Sequence, residues 1–206
     1  MKVIFLALLG AITFLFTVAN ADEEKKELPF DPAKISRLSL DGVPRSLSIR
    51  QGADTWLGYD LEKALSFKVW QAPKDKPGLV VKGFKTVSAG TTWSNTKLGE
   101  SWQLNDKGNE AEPTVRYLGC TQMDKQIELS WELIHPRGII QFRERVPTVA
   151  ASGTVRVYRE LRAESLKDGM SLVLPPTYRD GWELTCPEGK TVKSITGPGW
   201  HRISLR

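Results

Sequence analysis

The side chains best suited to chemistry in this chain are its indoles, some scattered carboxylates, two histidines and two cysteines. The tryptophans are Trp56, Trp70, Trp93, Trp102, Trp131, Trp182 and Trp200. An exposed indole can cover the apolar C–H face of a sugar while nearby carboxylate, amide or guanidinium groups bond its hydroxyls. Trp93 lies in Gly90-Thr-Thr-Trp-Ser-Asn and Trp200 in Gly197-Pro-Gly-Trp-His-Arg, turn-rich contexts where packing explains a large ring less readily. Trp70 ends an alternating segment, and strict alternation points it opposite to Phe67. The candidate ligand-binding set is Trp70, Trp93, Trp102, Trp182, Trp200 and His201. The competing reading is that all seven indoles anchor the core and its corners, as Trp131 does in its alternating strand.

Asp60, Glu62, Glu128, Glu132, Glu144 and Asp180 are the acids that could form a glycosidase pair. That chemistry needs carboxyl groups about 5 to 9.5 Å apart. Glu128 and Glu132 share one strand face about 13 Å apart, too far to act as that pair. Arg143 and Arg145 alternate with Glu144 and suggest a salt-bridged sheet surface. His135, before Pro136, is expected in a turn and His201 at the surface. A zinc site would need cysteine or carboxylate help at suitable spacing, and none is present. No catalytic residue, metal site or cofactor is assigned. The chain has no G-x-S-x-G, no P-loop and no strand–G-x-G-x-x-G–helix unit. Basic and acidic residues are interleaved, 29 against 24, a net charge of +5. A nucleic-acid footprint would instead concentrate positive charge on one face.

The elements that must hold these residues are strands. Lys125–His135 alternates, with Ile127, Leu129, Trp131 and Leu133 on one face. Gly138–Arg145 follows a His-Pro-Arg-Gly turn, so the two form an antiparallel hairpin. Gly153–Leu161 alternates again. Shorter strands are expected over 45–50, 55–59, 65–70, 79–84, 101–104, 114–118, 171–174, 182–186, 191–195 and 201–205. Turn dipeptides such as Asp41-Gly42, Gln51-Gly52 and Asp180-Gly181 separate them. The best helical signal is one turn over 61–65, capped by Asp60. Many short strands without crossover helices predict an all-β, antiparallel β-sandwich, lectin-like or mutarotase-like. Residues 34–206 read as one domain after a charged lead-in over 22–33.

Met1–Ala21 combines an early Lys2, an apolar run and an Ala19-Asn20-Ala21 site, the pattern of a cleaved secretory signal peptide. Cleavage removes only Lys2 among charged residues, so the net charge falls from +5 to +4. Export would take Cys120 and Cys186 to an oxidising compartment. A disulfide between them is expected, closing a long loop for about 4 kcal/mol of stabilisation. Two separate buried thiols are the alternative.

Gly58-Tyr-Asp-Leu-Glu-Lys-Ala-Leu-Ser-Phe-Lys-Val-Trp70 resembles a recurrent segment of secreted planctomycete and verrucomicrobial proteins. Thr92-Trp93, Leu98-Gly99, Val115–Gly119 and Val155–Arg159 resemble the rest of that β-module, which spans roughly Pro44–Pro175 here. In larger chains it accompanies haem c and sugar-dehydrogenase-like domains. This chain has no C-x-x-C-H, so it cannot attach haem c by that motif. The resemblance implies an envelope module associated with carbohydrate or redox proteins and supplies no catalytic residues. The expectation is an exported, non-enzymatic module that binds carbohydrate or an envelope protein. The alternatives are a mutarotase- or glycosidase-like enzyme and a structural partner of a haem c or dehydrogenase protein. Nucleic acid is not an expected partner.

Overall fold

The computed structural model describes residues 35–206 apart from 38, 97, 98 and 180. The signal segment 1–21, the lead-in 22–33, Leu98 of the resemblance and Asp180 among the candidate acids lie outside the described residues. In chain order the strands are β1 (Ile35–Ser36), β2 (Ser39–Leu40), β3 (Ser46–Gln51), β4 (Thr55–Asp60), β5 (Leu65–Gln71), β6 (Leu79–Lys82), β7 (Lys85–Ser88), β8 (Thr91–Asn95), β9 (Gln103–Asp106) and β10 (Asn109–Ala111). They continue with β11 (Thr114–Gln122), β12 (Gln126–His135), β13 (Gly138–Pro147), β14 (Val157–Glu164), β15 (Met170–Val173), β16 (Trp182–Thr185), β17 (Thr191–Val192), β18 (Ser194–Ile195) and β19 (His201–Leu205). A short 3₁₀ turn covers Pro176–Arg179. The expected all-β architecture is present, and among the described residues every strand pair is antiparallel except β2 with β7.

The sheets run β1-β3-β4-β5-β8, β10-β9-β15-β18, β11-β12-β13-β14-β19-β16-β17 and β2-β7-β6. One core joins the first three, in a sandwich-like packing. Leu47, Ile49, Leu57 and Val69 come from the five-stranded sheet, Leu104 and Leu172 from the four-stranded sheet, and Leu129, Trp131, Phe142 and Ile203 from the seven-stranded sheet. The β12–β13 hairpin follows the alternation seen in its sequence, with Trp131 opposite Phe142 and both fully buried.

β3, β4 and β5 behave differently. They are buried almost continuously, because the five-stranded sheet is covered on both faces. Its second face carries a smaller core of Leu40, Val43, Trp56, Phe67 and Trp70, beneath the β2-β7-β6 sheet. An Asp41 clamp ties that sheet down. Its carboxylate accepts from Ser88 N at 2.9 Å, Ser88 Oγ at 2.7 Å and Lys68 Nζ at 2.8 Å. Burial opposes ionisation of Asp41, but these donors outweigh it and hold the carboxyl below its ordinary value.

Several expectations need correction. A bulge in β5 pairs Gly58 with Lys68 and Tyr59 with Ser66, which leaves Phe67 as the extra residue. Phe67 therefore joins Trp70 in the smaller core instead of facing away from it. Residues 61–64 form a turn, not a helix, although Asp60 Oδ1 does accept from Glu62 N at 2.9 Å. The predicted strand over 79–84 ends at Lys82 and turns back as β7. The disulfide is not formed: Cys120 and Cys186 are free. Cys120 lies in β11 at one edge of the seven-stranded sheet, and Cys186 follows β16, five strands away. At about 4.8 Å per strand that is roughly 24 Å along the sheet. A disulfide tolerates about 7 Å between Cα atoms.

Candidate functional site

The β3–β4 turn and the end of β5 create a row of side chains across one sheet face. Arg50 pairs with Trp56, Trp56 with Trp70, and Trp70 with Thr92. The two indoles stack with centroids 6.1 Å apart and planes 11° from parallel. Trp70 is sealed beneath and donates its Nε1 to Gly78 O at 2.8 Å. Trp56 is buried as well, 6% exposed, and stands in the cleft wall with the Arg50 guanidinium 6.0 Å from its ring centroid. Arg50 also donates to Ala53 O, which draws its head over the turn.

Arg50, Ala53 and Trp56 of this region line a solvent-accessible cleft of about 1240 Å³. Its apolar walls include Trp56, Leu79 and Val81, and its polar groups include Arg50, Asp54 and Gln71. Gln71 Nε2 donates to Asp54 Oδ2 at 2.6 Å, and Thr55 Oγ1 donates to Asp54 Oδ1 at 3.2 Å. Both carboxylate oxygens are thus held in place, yet each keeps a lone pair for a further donor. The segment 74–78 runs along the rim. Gly78 is needed there because a Cβ would run into the indole of Trp56.

None of the indoles singled out from sequence lines this cleft. Trp102 is sealed in the main core, donating Nε1 to Ala64 O at 2.9 Å and meeting Phe142 edge-on at 5.1 Å. Trp182 is buried, stacked on Tyr178 at 5.3 Å, with Nε1 donating to Ser94 Oγ at 3.1 Å. Trp93 is the extra residue of a bulge in β8, half-buried against the core, with Arg156 5.1 Å from its ring. Trp200 is half-buried, and the Arg145 guanidinium lies 3.9 Å from its ring centroid. His201 is buried rather than at the surface, and its Nδ1 meets Gly199 O at 3.0 Å. His135 is a turn histidine whose Nδ1 accepts from Arg137 N at 3.3 Å.

The acids are equally dispersed. Glu128 pairs with Arg145 at 2.8 Å and Arg143 at 3.6 Å, and Glu132 pairs with Arg116. This part of the salt-bridged sheet surface matches the expectation. Glu144 does not belong to that surface. It points into the sandwich, where Oε1 accepts from Arg159 at 3.0 Å and from Tyr59 Oη. Burial pushes its carboxyl up, against the downward pull of Arg159 and Tyr59. Asp60, Glu62, Glu128, Glu132 and Glu144 do not line the cleft, whose acids include Asp54 and Asp75. Among the described residues, no group of three or more His, Cys, Asp or Glu could hold a metal ion.

Sequence reasoning missed Arg50, Asp54, Trp56 and Gln71 as a set. The available signal was the Gln51-Gly52 turn: pairing the strands on either side brings Arg50 opposite Trp56. No family model matches the chain, and no curated protein and no solved structure matches it.

Proposed function

We propose that the chain is an exported, non-enzymatic binding module whose cleft takes a carbohydrate. One observation carries this reading: Trp56, Leu79 and Val81 wall a cleft that also holds Arg50, Asp54 and Gln71. A sugar needs this combination: exposed Val81 and half-buried Leu79 offer apolar surface for its C–H face, and the fixed polar groups serve its hydroxyls. Arg50 offers a planar fork of donors suited to paired oxygens. Asp54 accepts from hydroxyls and is already oriented by Gln71 and Thr55. A cleft of about 1240 Å³ has room for a short oligosaccharide. Export rests on the Met1–Ala21 pattern and belongs to the proposal.

Isothermal titration against a panel of neutral and acidic oligosaccharides tests it. Binding to at least one glycan is expected, weakened about ten-fold or more by Asp54→Ala, since hydrogen bonds to charged groups contribute about 1.5–3 kcal/mol. A panel without binding, or binding unchanged in Asp54→Ala and Arg50→Ala alike, would overturn the reading.

A further inference from the structure

Among the described residues, the β6–β7 hairpin carries the most exposed large apolar side chain. Phe84 at its tip is 92% exposed, with Val80, Val81 and Val87 also exposed. Val80 and Val87 lie directly opposite each other, as do Lys82 and Lys85 next to the turn. Gly83 adopts φ +63°, the left-handed conformation that a two-residue hairpin turn requires, and the turn holds Phe84 at the apex. Two features of this tip disfavour the isolated protein. The phenylalanine is left in water. Two like charges face each other across the strands, a destabilising pairing. The segment 74–88 carries four lysines against a single acid, Asp75.

We propose that this hairpin docks on an anionic lipid bilayer. Such a surface relieves both features at once: acyl chains receive Phe84, Val80 and Val87, and anionic headgroups neutralise Lys82 and Lys85. The arrangement suits shallow insertion of an apolar apex with lysines at headgroup level. The hairpin is anchored for this by β7, which pairs with β2, and by the Asp41–Ser88 bonds at its base. Phe84, Lys82 and Lys85 do not line the cleft, so docking and saccharide binding can be tested separately.

The test is co-sedimentation with equimolar phosphatidylcholine–phosphatidylglycerol vesicles, using pure phosphatidylcholine vesicles as the comparison. The chain should pellet with the anionic vesicles alone and be released by salt. Lys82→Ala/Lys85→Ala should weaken binding about thirty-fold, at about 1 kcal/mol for each lysine near an anionic surface. Phe84→Ser should weaken it about ten-fold, and thermal melts should show both variants folded. Absence of binding, equal binding to both vesicle types, or binding unchanged in the variants would overturn the proposal. So would a dimer, seen by analytical ultracentrifugation, that Phe84→Ser dissolves, since the hairpin would then belong to a second copy.

Discussion

Arg159 and Glu144, on neighbouring strands of the seven-stranded sheet, form an ion pair inside the sandwich with side chains 2% and 1% exposed. The guanidinium lies 4.6 Å from the ring centroid of Trp182, 5.3 Å from Tyr178 and 5.9 Å from Tyr59. Its Nε is buried without a hydrogen-bond partner, so the cost of desolvating the charge is only partly offset. Arg159→Met leaves Glu144 buried with only Tyr59 as a donor, and Glu144→Leu leaves Arg159 buried without its counter-ion. Each single change should destabilise by about 3–5 kcal/mol. For a domain of this size, about 2–4 °C of melting temperature accompanies each kcal/mol, so each variant should melt roughly 6–20 °C lower. The double variant strands neither charge. It should lose only about 1–2 kcal/mol, chiefly because Tyr59 Oη forfeits its acceptor. Urea unfolding followed by near-ultraviolet circular dichroism gives all three values. A single variant within about 1 kcal/mol of wild type, or a double variant whose loss equals the sum of the singles, would refute the reasoning.

Other outcomes follow from the same structure. The Asp41 carboxyl is held below its ordinary value, so its stabilisation is complete above the unfolded-state pKa of about 3.9 and disappears as pH falls through the lower folded value. Asp41→Asn should flatten that acid limb of the stability curve and cost roughly 2 kcal/mol at neutral pH, measured by urea unfolding across a pH series. An unchanged acid limb would contradict the clamp. Unfolding without reductant should expose two titratable thiols, Cys120 and Cys186. A count of zero would contradict the strand order of the seven-stranded sheet.

The parts legible in the sequence were those governed by one periodicity and one buried face. The β12–β13 hairpin is the clearest case: its alternating residues, its turn and its register all agree. The five-stranded sheet was harder to read, because both of its faces are covered and burial no longer alternates. The single inserted residue at Phe67 then reversed which side chains share a face. Glu144 was misread for a related reason. It occupies an inward position of β13 that alternation assigns to apolar residues, and only its partner Arg159, on the neighbouring strand, makes it tolerable there. Tryptophan type alone could not identify a site. Trp70, Trp102 and Trp182 each bury their ring and satisfy Nε1 internally, whereas Trp56, itself only 6% exposed, is the indole that a turn places in the cleft wall.

The response to saccharide of the Trp56 indole, a buried ring in the cleft wall, is the most direct measure of the central claim. Nitrogen-15 labelling of the tryptophans gives one indole N–H resonance per ring, which Trp56→Phe assigns. Titration with a glycan that binds should shift the Trp56 resonance while those of Trp102 and Trp131, sealed in the main core, stay fixed. A bound glycan that leaves Trp56 unmoved would contradict the assignment of the cleft as the binding site.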